Sequence, residues 1–151
     1  MVASINLKKD CFFPDAKKLS YDNYIVGFLH KPIDDGNYHG VNVIMADGQC
    51  SKLDPFKLDA TGWEEVRLPK NTEPRRIMIW GNNLATLGMI QMFDQKGKQI
   101  LQAGNSRKGD QKVVCDLKKG ERLLGFRATH AEQGKRETWV KDFQFLIGCM
   151  E

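Results

Sequence analysis

The feature that most constrains the fold is a motif of leucine, lysine and a turn residue that occurs three times. Each copy follows a strand-like segment and precedes a new apolar run; the copies are Ile5-Asn6-Leu7-Lys8-Lys9-Asp10, Val66-Arg67-Leu68-Pro69-Lys70-Asn71 and Cys115-Asp116-Leu117-Lys118-Lys119-Gly120. The leucines, at positions 7, 68 and 117, are about 61 and 49 residues apart, and self-similarity at such intervals indicates a repeat architecture. The chain is therefore predicted to contain three structural units.

Short apolar runs rich in Val, Ile, Phe and Trp alternate with clusters of Gly, Asn and Asp, which is typical of strands joined by turns. The run 41–46 leads into Asp47-Gly48, and the run 87–93 leads into a turn that ends at Gly97. Such turns favour hairpins because Asp and Gly tolerate positive φ. The two glycines are 49 residues apart, like the second and third leucines. No convincing helix is found, so an all-β fold is predicted.

The chain of 151 residues has the length of a single domain, with units at about 1–67, 68–116 and 117–151. The last unit ends without the glycine hairpin and closing strand of the others, and an open strand edge is a template for aggregation. The N-terminal strand around Ser4 to Leu7 is therefore predicted to close it. Three such units favour a pseudo-threefold β-prism of Greek-key-like units, with a β-trefoil or another β-sandwich as the alternative.

Two segments resemble the jacalin-like lectins. The first is Arg76-Ile77-Met78-Ile79-Trp80 with Gly88–Asp94 before Lys96-Gly97, and the second is Gly120–Arg127 followed by Trp139-Val140-Lys141-Asp142-Phe143. The resemblance covers about residues 75–148 and implies a β-prism. It also implies a sugar site in a G-x-x-x-D loop at the start of the last strand, where the aspartate accepts hydrogen bonds from sugar hydroxyls.

This sugar-binding motif is degenerate. Alignment on Trp139 and Phe143 puts Lys141 in the aspartate position and Glu137 in the glycine position. A lysine has donors but no acceptor, and Asp142 is expected on the opposite sheet face if the strand is regular. The resemblance therefore does not carry the usual sugar-binding activity with it.

Two functions are compatible with these features. The first is a non-catalytic interaction or structural module that docks onto protein partners in a larger assembly. The second is a lectin-like carbohydrate-binding protein with a non-standard site, in which Lys135, Arg136 and Lys141 favour an anionic glycan. The candidate ligand-binding residues are Arg136, Glu137, Trp139, Lys141 and Asp142.

Partner contacts are predicted in two places. The longer first interval suggests an insertion at Lys52–Gly62, and insertions in repeats are often exposed binding loops. Lysine doublets at the leucine turns, with Lys70 nearby, would form a basic ring that attracts an acidic protein surface or a phospholipid headgroup. Trp80 is predicted to be a core residue. The candidate partner-binding residues are Pro55, Phe56, Trp63, Lys8, Lys9, Lys118 and Lys119.

Composition disfavours several other classes. The net charge of +4 comes from 23 basic and 19 acidic residues spread along the chain, whereas nucleic-acid binders cluster their basic residues. No stretch approaches the roughly 18 apolar residues of a membrane-spanning helix. The four cysteines form no C-x-x-C pair, which favours free thiols in a reducing, cytoplasmic location.

Catalytic and metal-binding chemistry is not indicated either. The histidines His30, His39 and His130 lack ligands at zinc-site spacing and are predicted at turns or on the surface. The segment Asp34-Asp35-Gly36-Asn37 lacks the alternating acidic residues of a calcium loop. We therefore predict that the protein is not an enzyme and needs no cofactor.

Overall fold

The computed structural model describes residues 7–13, 19–32, 38–50, 63–81, 87–106, 109–133 and 137–149. Its ten strands are β1 (Leu7–Phe13), β2 (Ile25–Pro32), β3 (Tyr38–Met45), β4 (Glu64–Arg67), β5 (Arg76–Gly81), β6 (Leu87–Phe93), β7 (Gln99–Gly104), β8 (Gln111–Asp116), β9 (Glu121–Gln133) and β10 (Glu137–Cys149). They form three antiparallel sheets: a first sheet in the order β3-β2-β4, a second in the order β7-β6-β5-β8 and a third in the order β1-β9-β10. No helix occurs within the described ranges. The predicted all-β class is confirmed.

The units repeat at a constant interval of 49 residues. A four-residue turn precedes each of β2, β5 and β9. In each turn the backbone N–H of the last residue donates a hydrogen bond to the carbonyl oxygen of the first; the distance is 3.2 Å in Ser20–Asn23, 3.3 Å in Pro69–Thr72 and 3.0 Å in Lys118–Glu121. The leucine before each turn stands at position 19, 68 or 117. The predicted glycine turns follow the same interval and are confirmed, with φ of 89° at Gly48 and 82° at Gly97.

The predicted first leucine–lysine turn is wrong. Lys8 and Lys9 lie in β1, which has a bulge between Leu7 and Lys9 and continues to Phe13. The structural equivalent of Leu68 and Leu117 is instead Leu19, whose turn contains Ser20 and Tyr21 in place of lysines. The first interval is thus 49 residues rather than 61, and the reason for inferring an insertion at 52–62 disappears.

The third sheet contains strands from both ends of the chain. β1 pairs antiparallel with β9, with Leu7 opposite Ala131 and Phe13 opposite Phe126. In the same way, β4 pairs with β2 and β8 pairs with β5. Each sheet therefore has one outer strand that comes before a leucine turn in the sequence. These strands are β4 before Leu68, β8 before Leu117 and, in the third sheet, β1 before Leu19.

One hydrophobic cluster contains residues of all three sheets. Its innermost layer follows the 49-residue interval: Phe28, Ile77 and Phe126 are each at most 1% exposed. Phe126 also stacks on Phe143, with ring centroids 5.3 Å apart. Each fully buried side chain of this kind contributes roughly 1.5–3 kcal/mol, so the repeated layer holds the three sheets around one core.

β10 departs from the regular alternation that the sequence predicts. Its pairing with β9 shifts between Lys141 and Gln144, where Asp142 and Phe143 oppose a single residue, and again between Leu146 and Ile147. Bulges of this type bend and twist a strand. Ile147 is 42% exposed, so the alternation that buries Phe143 and partly buries Phe145 does not extend to it.

His30 is a core residue rather than the predicted turn or surface histidine. It lies in β2, is 1% exposed, and has its Nε2 3.7 Å from Oε2 of Glu64 on the neighbouring strand. Burial lowers the pKa of His30, and the Glu64 carboxylate partly opposes that shift. The imidazole is therefore mainly neutral at pH 7.

Candidate functional site

The predicted ligand-binding residues fall mostly at the start of β10. The backbone places Glu137 opposite Gln133, Trp139 opposite Ala131 and Lys141 opposite Thr129, whereas Arg136 lies outside the described residues. Asp142 belongs to the bulge, so the regular strand that would place it on the opposite face is not present. The structure thus gives the backbone order of this region, and the binding role of these residues stays a prediction.

The predicted partner-binding residues come from three regions of the chain, and the structure describes only some of them. Pro55 and Phe56 lie outside the described residues, and Lys8 and Lys9 lie in β1 instead of a turn. Trp63 is half-buried and immediately precedes β4. Lys118 and Lys119 are exposed in the turn after β8, as the basic-ring hypothesis requires of them.

The turns at 20–23, 69–72 and 118–121, together with the Gly48 and Gly97 turns, make up one end of the molecule, here called the leucine-turn end. Three equivalent positions meet there: Tyr24, Glu73 and Arg122. Arg122 Nε donates to Glu73 Oε1 over 2.9 Å, and its guanidinium carbon lies 4.5 Å from the centre of the Tyr24 ring. The hydrogen bond to Glu73 raises the pKa of Arg122. A residue from each unit thus contributes to one polar cluster that joins the units at this end.

Arginines and lysines at the leucine-turn end differ in their pairing. The four arginines there all contact carboxylates: Arg67 with Glu65, Arg75 and Arg122 with Glu73, and Arg76 with Asp116. The Asp94 carboxylate accepts hydrogen bonds from the backbone N–H groups of Lys96 and Lys98 in its own turn. No ion pair to another described residue is formed by the five exposed lysines Lys70, Lys96, Lys98, Lys118 and Lys119. The outward positive charge at this end therefore belongs to lysines.

The outer face of the second sheet is the side that points away from the core. Alternation along β5 directs Ile77 and Ile79 into or against the core cluster, so the residues between them point outward. Strand register continues this face into the neighbouring strands, because Met78 pairs with Gln91, Gln91 with Gln102 and Met78 with Val114. The outer face comprises Arg76, Met78, Trp80, Gln91, Phe93, Gln102, Lys112, Val114 and Asp116.

Trp80 anchors a network of side-chain amides on the outer face. Its Nε1 donates to Gln91 Oε1 over 2.8 Å, and Gln91 Nε2 donates to Gln99 Oε1 over 2.9 Å. Lys112 Nζ lies 5.5 Å from the centre of the Trp80 ring. The prediction of Trp80 as a core residue is therefore wrong, and the alternation from Ile77 to Trp80 was the signal that could have corrected it.

A groove of about 650 Å³ lies where the outer face meets the leucine-turn end. Met78 and Phe93 line it, and the lysines Lys96 and Lys119 also contribute. Across β5 and β8, Arg76 Nε donates to Asp116 Oδ1 over 2.7 Å and Nη2 donates to Oδ2 over 3.3 Å. This pairing lowers the pKa of Asp116, which is therefore ionised at neutral pH.

The groove combines three kinds of chemistry. The Asp116 carboxylate has acceptor capacity beyond the Arg76 bond, and the guanidinium has further N–H donors. The Phe93 ring provides an apolar surface beside them. The volume of the groove lies within the range of ligand sites, roughly 300–1,000 Å³. Sequence reasoning missed this site because Arg76 and Asp116 are 40 residues apart and meet only through the β5–β8 pairing.

Two features are absent from the described residues. They contain no group of three or more His, Cys, Asp or Glu side chains that could hold a metal ion. They also contain no helix long and apolar enough to span a bilayer.

The fold of this chain is similar to that of a lectin whose structure is solved. The prostate-specific WGA16 glycoprotein lectin superimposes with a TM-score of 0.66 and 12% sequence identity, over 100% of this chain and 98% of that chain. The V. cholerae biofilm matrix protein Bap1 superimposes with a TM-score of 0.50 and 14% identity, over 95% of this chain and 24% of that chain. No protein-family model and no curated protein matches the sequence. At these identities the similarity shows a lectin-like all-β fold.

Proposed function

We propose that this protein is a non-catalytic, lectin-like module of the jacalin-like β-prism type, and that it binds carbohydrate on the outer face of its second sheet. The observation that carries the proposal is the groove lined by the Arg76–Asp116 pair and Phe93. A fixed donor beside a fixed acceptor suits adjacent sugar hydroxyls, and an aromatic ring suits the apolar face of a sugar. The fold shared with a solved lectin supports this reading.

The amide network extends the proposed surface beyond the groove. Gln91, Gln99 and Gln102 already exchange hydrogen bonds with one another. Because the amides of Gln99 and Gln102 are exposed, sugar hydroxyls can replace these bonds without leaving buried polar atoms unpaired. We therefore expect an oligosaccharide, lying along the face from the groove towards Trp80, to bind more tightly than a monosaccharide.

A glycan array tests this function, with neutral, sialylated and sulfated oligosaccharides. Arg76→Ala should weaken binding to the best ligand at least tenfold, because it removes the donor and leaves the Asp116 carboxylate without its partner. Lys141→Ala changes the residue in the degenerate family motif and is the matched control, with unchanged affinity expected. Loss of binding in Lys141→Ala with full binding in Arg76→Ala would move the site to β10. Absence of binding to any glycan would reject the carbohydrate function.

A second candidate function, docking onto an acidic protein partner, rests on the exposed lysines of the leucine-turn end. Lys70, Lys118 and Lys119 stand at equivalent turns, and no described carboxylate pairs with them. Exposed charges are screened over about 8–10 Å at physiological salt. A protein captured through these lysines should dissociate between about 50 and 300 mM salt, and the triple variant Lys70→Ala/Lys118→Ala/Lys119→Ala should not capture it. Capture that is insensitive to both changes would reject this function.

We also propose a cytoplasmic location. Cys50 and Cys115 are free thiols, which suits a reducing compartment. Fractionation of cells that express the tagged protein tests this, and recovery in the medium would contradict it.

A further inference from the structure

The two outer strands β4 and β8 are equivalent but carry opposite surface chemistry. The 49-residue interval aligns Glu64 and Glu65 of β4 with Val113 and Val114 of β8. The two glutamate side chains are 65% and 52% exposed, and the two valines are 67% and 43% exposed. Charged residues on an outer strand discourage pairing with another chain, whereas exposed β-branched residues permit it. The edge at β8 is therefore open in a way that the edge at β4 is not.

We propose that β8 pairs antiparallel with β8 of a second copy of this chain, which joins two four-stranded sheets into one sheet of eight strands. β8 is the last strand of its sheet, and among the described strands β5 is its one extensive neighbour. Its other side can thus accept another strand without displacing any of the described strands. Such β-strand addition supplies main-chain hydrogen bonds along the whole edge.

The charge order of β8 favours a second copy as the occupant. In the register that places Val114 opposite Val114, Lys112 lies opposite Asp116 of the second copy, and the twofold axis repeats this pair. Lys112, Val114 and Asp116 all belong to the outer face, so the opposite charges lie on the same side of the joined sheet. Opposite charges in directly facing positions stabilise a strand pair, and a self-complementary patch is what a twofold interface requires.

The remaining positions of β8 also fit this register. Val113 lies opposite Cys115 of the second copy, on the side where β8 pairs with the core-facing residues Ile79 and Ile77. The most exposed valine therefore covers a half-buried thiol. The outer faces of both sheets remain open in the dimer, and two grooves lie on one continuous surface. This inference does not rest on carbohydrate binding, because its test uses the protein alone.

Sedimentation velocity from about 5 to 500 µM tests the proposal directly. The wild-type chain should shift towards a dimer as its concentration rises, with the weak affinity expected of an interface formed by one short strand. The variant Val113→Glu/Val114→Glu, which gives β8 the residues of β4, should stay monomeric throughout with an unchanged melting temperature. The control Gln99→Glu/Gln102→Glu adds the same charge on β7, the opposite edge of the sheet, and should dimerise as wild type does.

Cross-linking tests the register. In a Cys115→Ser background, Val114→Cys should form a covalent dimer under mild oxidation, because the two introduced thiols face each other across the twofold axis. Val113→Cys in the same background should not, since position 113 faces position 115. A wild-type chain that is monomeric at every concentration would overturn the proposal. A dimer that survives Val113→Glu/Val114→Glu would overturn it too.

Discussion

The first and second sheets share one backbone plan and differ in the chemistry of their outer faces. Core positions agree at the 49-residue interval: Phe28 and Ile77 are both fully buried. Outer positions do not, because Gly27 corresponds to Arg76 and Arg67 corresponds to Asp116. Packing constrains the core of every repeat in the same way, whereas the outer face can diverge without loss of the fold. The divergent face of the second sheet is accordingly where we place the binding site.

The largest expected effect is at the shared core layer. Phe28→Ala should lower the free energy of unfolding by about 3–5 kcal/mol, because it removes a buried ring and leaves a cavity. Gln102→Ala on the outer face should change it by less than about 0.5 kcal/mol. Urea unfolding followed by tryptophan fluorescence measures both. Equal losses would show that core and outer face are not energetically distinct.

A smaller effect distinguishes the strand pair β2–β4 from β5–β8. A Cβ on Gly27 would lie 2.5 Å from the backbone oxygen of Val66, so Gly27→Ala must push the two strands apart. We expect a loss of about 1–3 kcal/mol. Arg76→Ala at the equivalent position breaks only an exposed ion pair and should lower the stability less than Gly27→Ala does. Thermal unfolding of the two variants compares them, and a harmless Gly27→Ala would refute the close approach.

The polar cluster shared by the three units should contribute less. Glu73→Gln removes the carboxylate that Arg122 and Arg75 both contact. These side chains are partly exposed, so we expect a loss of about 1 kcal/mol. Tyr24→Phe retains the ring against which Arg122 packs and serves as the control, with little change expected. Chemical denaturation at low salt measures the difference; a larger loss in Tyr24→Phe would contradict the assigned roles.

The last effect depends on pH. His30 corresponds to Ile79 of the second sheet, and burial lowers its pKa in the folded protein. The unfolded chain therefore binds a proton more readily, and stability should fall as pH drops below about 6.5. One such group contributes a slope of at most about 1.4 kcal/mol per pH unit. His30→Ile should flatten the dependence of melting temperature on pH between about 7.5 and 5.5; an unchanged slope would contradict this origin.

Local patterns were enough to predict the fold class. Apolar alternation and the turns at Gly48 and Gly97 depend on neighbouring residues, and both are confirmed in the structure. The first repeat was assigned to Leu7 because Lys8-Lys9 resembles Lys118-Lys119 in sequence. The structural equivalent, Leu19, is followed by Ser20-Tyr21, because a turn requires a backbone geometry that several side chains permit.

The proposed binding site could not be predicted in the same way. It depends on strand pairing between residues far apart in the chain, as with Arg76 and Asp116. The bulge at Asp142 could not be predicted from the sequence either, because it arises from the pairing of β10 with β9. Trp80 is the exception: its outward position follows from the alternation of its own strand, which the preference for a buried tryptophan overrode.

The most direct test of the proposed site is side-chain NMR during titration with the oligosaccharide that binds best on the array. The signals to follow are the indole N–H of Trp80 and Trp63 and the amide groups of Gln91, Gln102 and Asn42. Binding at the second sheet predicts shifts for Trp80, Gln91 and Gln102, while Asn42 of β3 and Trp63, which precedes β4, stay unchanged. Shifts confined to the first sheet or to residues 137–142 would contradict it.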